Sequence, residues 1–70
     1  MKKMQYKGFK ISERKDGSFR IVLDDGRDHY ETVQPNFREA GAWVWNMANN
    51  HDHAEIVNHR MCEVFGRDFF

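Results

Sequence analysis

The sequence predicts an α+β fold, a three-stranded antiparallel meander followed by two α-helices. Three observations carry this: two Asp-Gly turn signals in the first half, period-two apolar alternation around them, and two capped stretches of helical periodicity after Pro35. Asp16-Gly17 and Asp25-Gly26 reach left-handed backbone conformations cheaply, so each marks a hairpin. Before the first turn Phe9 and Ile11 share one parity, and Lys10, Ser12 and Arg14 share the other. Between the turns Phe19, Ile21 and Leu23 alternate with Ser18, Arg20 and Asp24, while Val22 is the one apolar residue on the polar parity. The third segment, His29 to Val33, is rich in strand formers but alternates less cleanly. Short turns force antiparallel neighbours, which places the meander over about residues 5–33.

Pro35 ends the sheet because it cannot donate to a ladder. Asn36 stands three residues before Glu39, close to a capping box, and opens a helix over about 37–49. Phe37, Ala40, Gly41, Val44 and Ala48 form its apolar stripe. Asp52 and Glu55 repeat the arrangement for a second helix over about 53–65, with Ala54, Val57, Met61, Val64 and Phe65 facing inward. Gly66 is placed to end that helix in a left-handed residue. The shared core is predicted to contain Phe9, Ile11, Phe19, Ile21, Phe37, Val44, Ala48, Val57 and Met61, because the two periodicities close on one common face.

Seventy residues accommodate one domain, over 1–70, since two would each be too small to sustain a core. Eleven basic and eleven acidic residues cancel, and ten aromatics concentrate burial in few side chains. A chain of this size keeps roughly 3–5 kcal/mol of net stability, which leaves little for a deep catalytic cleft. No apolar run reaches membrane-spanning length. The basic Met1-Lys2-Lys3-Met4 start leads into polar residues rather than an apolar signal core, and Cys62 is the single cysteine. The expected setting is the cytoplasm, with no membrane partner.

Chemistry-bearing constellations are sparse. Ser12, Ser18 and Thr32 lack a glycine-flanked nucleophile turn, and no phosphate-cradling loop is present. His59 and Cys62 lie three apart on one helix without an orienting third group, so no enzyme is expected. His51, His53, His59 and Cys62 are the remote candidates for zinc, but their spacing matches no finger or knuckle; no cofactor is expected. Charge is uneven: residues 1–20 carry a balance of plus five, and 39–70 one of minus three. By strand parity Lys10, Arg14 and Arg20 project from the outer sheet face, where they would contact phosphates if the chain bound DNA. The same residues serve equally as a solvated face and as edge protection. Acidic Asp24, Asp25 and Asp28, and a pI near 6.9, count against DNA.

The aromatic residues outside the stripe point to protein contact. Trp43 and Trp45 flank Val44 on opposite sides of the wheel, so both cannot occupy the centre of one buried face. One reading packs one or both of them under the second helix or the C-terminal Phe69-Phe70; the other leaves Trp43 at least partly exposed as an interface anchor. Phe69-Phe70 also need a covering surface, from this chain or from another copy.

Tyr6-Lys7-Gly8-Phe9, the Asp16-Gly17 turn, Phe19-Arg20-Ile21 and Phe37-Arg38-Glu39-Ala40 together resemble a pattern of short phage and prophage proteins. Most of those have no assigned function, and some inhibit host defence systems. More weakly, residues 6–48 resemble integrase arm-type and plant ethylene-response-type DNA-binding domains, which read DNA with a three-stranded sheet. The first resemblance implies a phage or mobile-element protein that binds and modulates a host protein. The second implies sheet-borne DNA contacts at Arg14 and Arg20. A monomer and a homodimer are both compatible with these readings.

Overall fold

The computed structural model describes residues 2–69. Four strands precede two helices: β1 (Lys3–Tyr6), β2 (Phe9–Glu13), β3 (Phe19–Asp24), β4 (His29–Gln34), α1 (Phe37–Met47) and α2 (His51–Phe65). The strands form one antiparallel sheet in the order β1-β2-β3-β4. The α+β class and its pair of helices therefore stand, but the expected three strands are four. The extra one is β1. Lys7 and Gly8 make a two-residue turn in which both residues have positive φ, 48° and 87°, the mirror-image turn whose twist matches that of its flanking strands. Met4 and Tyr6 then alternate with Lys3 and Gln5, and Met4 lies opposite Ile11.

The two Asp-Gly turns occur where expected, held by side-chain acceptors. Asp16 Oδ1 accepts from the Ser18 N–H at 2.9 Å and the Ser18 hydroxyl at 2.6 Å. Asp25 Oδ1 accepts from the N–H groups of Arg27 and Asp28, at 3.0 and 2.8 Å. Such local bonds let a short loop reverse without leaving its backbone donors unpaired.

Asn36 caps α1, its Oδ1 accepting from the Glu39 N–H at 2.9 Å. The cap of α2 is Asn50, not Asp52: Asn50 Oδ1 accepts from the His53 N–H at 2.8 Å, and the helix starts at His51. Asp52 falls in the first turn instead, where its charge complements the helix dipole. Gly66 closes α2 in the left-handed conformation. Helix α1 ends at Met47, two residues short of the expectation, because Ala48 turns extended as its C-cap. Ala48 is accordingly half-buried and only borders the core.

Both helices cover one sheet face, α1 over β3 and β4 and α2 over β1. Phe9, Ile11, Phe19 and Ile21 meet Val44, Val57 and Met61 there with essentially no solvent exposure. One end of this core is aromatic. Phe19 packs edge-on to Phe37 and Phe65, and Phe69 stacks on Phe37 with ring centroids 4.5 Å apart. Arg67 seals that end by lying over the Phe19 ring and pairing with Glu13.

Candidate interface groove on the helix layer

Residues three and four apart on a helix share a face. Arg38, Gly41, Ala42 and Trp45 form such a row on α1, and His51, Glu55, Asn58 and Cys62 form one on α2. These rows line an open groove of about 750 Å³ on the solvent side of the helix pair, with Phe69 at one wall. Small residues make its α1 floor. The Phe69 ring lies so close to Gly41 that a Cβ there would fall 2.2 Å from it. Trp45 lines the groove further along α1, 40% exposed, its ring edge-on to His51 at 4.9 Å. Ile56, 44% exposed, lies on the neighbouring flank of α2, in a separate cleft beside Tyr6 and Arg60.

The two tryptophans differ in burial. Trp43 is half-buried against the core, and Trp45 is the exposed one. The physical reason is the docking of α1. Trp43 shares a flank with Met47, which borders a cleft with Leu23 and Tyr30 of the sheet, whereas the flank of Trp45 faces the groove. Phe69 docks within the chain, on Phe37, while still bordering the groove. Phe70, its companion candidate, lies outside the described residues. The groove was partly hidden in the sequence because half its lining is polar. The row Gly41, Ala42, Trp45 is the signal that marks it.

Of the candidate DNA contacts, Lys10 and Arg20 do project from the outer sheet face. Arg14 immediately follows β2. Its N–H donates to the Ser18 carbonyl at 2.8 Å, next to the Glu13–Phe19 pair that ends the β2–β3 register. Arg20 donates to Glu31 at 2.6 Å, and His29 lies 3.6 Å from the same carboxylate. The outer face thus carries mixed charge, with one of its two candidate cations already paired.

The four candidate zinc ligands are not brought together. His51 sits against Trp45 and near Glu55, and His59 pairs along the helix with Glu63. His53 turns to the other side, its ring 5.8 Å from Phe9 and its Nδ1 accepting from the Asn49 N–H. Burial, reinforced by the Asp68 charge, pushes the Cys62 thiol up, which favours the protonated form. Among the described residues, the group of three whose donor atoms approach within 4.8 Å is His51, Asp52 and Glu55, all exposed.

No protein-family model, curated protein or solved structure matches the chain. Among the described residues, no helix is long and apolar enough to cross a membrane.

Proposed function

We propose that this chain is a small non-catalytic binding protein that modulates another protein by seating one of its apolar segments in the α1–α2 groove. The observation that carries this reading is Trp45. It stands exposed beside a floor of small residues, and tryptophan is the side chain most enriched among the hot spots of protein interfaces. Arg38 and Glu55 on opposite walls supply charges of both signs, so the rim suits a segment whose polar residues carry both. The resemblance to short phage proteins makes a host protein the class of partner, and inhibition or adaptation the mode of action. The alternative DNA reading draws less support, since Arg20 is paired with Glu31 and that carboxylate shares the outer face with Lys10.

Affinity capture from the native host, with and without nuclease, tests the proposal. A defined protein is expected to survive nuclease treatment and to be lost with Trp45→Ala, at a cost of at least about 2 kcal/mol in binding. Capture that needs nucleic acid, or that ignores Trp45→Ala, would sink the reading.

A further inference from the structure

The two edges of the sheet are not alike. Edge strand β1 has four residues, includes Lys3 and lies between Lys2 and Lys7. Short length and lysines are usual protections of an edge. Edge strand β4 has six residues, none of them Lys, Arg or Pro, and its register with β3 runs unbroken from Phe19–Gln34 to Asp24–His29. It also carries two of the exposed large apolar side chains, Tyr30 at 43% and Val33 at 49%.

The direction of its free backbone groups follows from the ladder. The Asp24 N–H donates to the Gly8 carbonyl at 3.0 Å, and Ser18 accepts from Arg14 at 2.8 Å. Even-numbered residues of β3 therefore bond to β2, and Phe19, Ile21 and Leu23 bond to β4. Their partners are Gln34, Thr32 and Tyr30. The N–H and C=O groups of His29, Glu31 and Val33 consequently point outward from the open edge.

We infer that this edge pairs with the same edge of a second copy, antiparallel about a two-fold axis at Thr32, giving one continuous eight-stranded sheet. That register joins outward groups to outward groups: Glu31 faces the partner's Val33, Tyr30 faces the partner's Gln34, and the two Thr32 side chains meet at the axis. Centring on Glu31 would oppose two carboxylates, and centring on Val33 would bring Pro35, which has no N–H to give, opposite the central Glu31, whereas the Thr32 register meets Pro35 only opposite His29 at the strand ends. Two further facts favour a second copy over a foreign strand. The chain has zero formal net charge, so two copies approach without net repulsion. The pairing also covers Tyr30 and Val33 on both copies at once. This surface is separate from the helix groove, and its failure leaves the groove reading untouched.

Sedimentation equilibrium of the intact chain tests the inference with Val33→Pro. Because the Val33 N–H points outward, proline there breaks no bond to β3. The expected result is a concentration-dependent dimer in the parent and a folded monomer in the variant, its dissociation constant raised about tenfold or more. Val33→Lys repeats the test should proline impair folding. In a Cys62→Ser background, Thr32→Cys is expected to cross-link two copies under mild oxidation, because directly opposed residues of this type have Cα atoms about 4.5 Å apart. Tyr30→Cys, set away from the axis, is expected not to cross-link. A parent that stays monomeric, a dimer indifferent to both Val33 variants, or pairing of this edge only with a different protein would overturn it.

Discussion

Trp43 and Trp45 differ by two positions and have opposite fates, and each fate makes a measurable claim. Trp43→Ala removes a side chain packed on the core and is expected to cost about 3 kcal/mol in a urea melt, close to the whole stability of so small a domain. Trp45→Ala removes a largely exposed ring and is expected to cost about 1 kcal/mol, leaving a cooperative transition. A larger loss for Trp45 than for Trp43 would reverse the assignment. The sequence places the pair symmetrically about Val44. Only the docking of α1 on β3 and β4 decides which flank is covered, and that is a tertiary fact absent from any helical wheel. The turn aspartates make a second claim. Bonds from the Ser18 hydroxyl and N–H hold the Asp16 carboxyl below its ordinary value of 3.8, and the Asp28 and Arg27 N–H groups do the same for Asp25. A depressed folded-state value stabilises the fold above the unfolded value, and that contribution is lost as pH falls below 3.8 through the folded one. Stability is therefore expected to decline on acidification through that window, and Asp16→Asn with Asp25→Asn should flatten the decline in melts taken across it.

At the level of elements, the β1–β2 hairpin is the one the alternation pattern did not disclose. Its strand is only four residues long, too short for period two to stand out, and Lys7-Gly8 is a less familiar turn signal than Asp-Gly. The turn is nonetheless specific. Gly8 holds φ at +87°, and a Cβ there would come within 3.1 Å of the Asp24 carbonyl oxygen. Gly8→Ala is expected to destabilise the chain by about 1–2 kcal/mol, from the left-handed backbone alone. Gly17 offers the contrast, since a Cβ there meets nothing within 4 Å; its substitution carries backbone strain without a clash. The helices were legible for the converse reason. Their caps are local and their stripes long, although Asn50 outcompeted Asp52 because it alone stands three residues before the His53 N–H it binds. The groove between them was legible only in part, since neither row of lining residues is apolar throughout.

The core, the open sheet edge and the helix groove lie on different surfaces of the molecule. One sheet face and the inner sides of both helices are consumed by the core, so Ile21→Ala is expected to cost roughly 2–5 kcal/mol and to abolish cooperative melting. The outer sheet face carries Lys10 beside the Arg20–Glu31 pair, and β4 leaves one edge open. The outer side of the helix pair carries the groove. The excess of plus five over residues 1–20 is divided between the outer sheet face, where Lys3, Lys10 and Arg20 line one shallow cleft, and the turns that carry Lys7, Arg14 and Lys15. The most direct test of the account is hydrogen–deuterium exchange of the chain with and without its captured partner. The account predicts slowed exchange at α1 and α2 amides around Trp45 and Asn58, with Lys10, Arg20 and Val22 unchanged. Protection confined to the outer sheet face, with the helices exchanging as in the free protein, would contradict it.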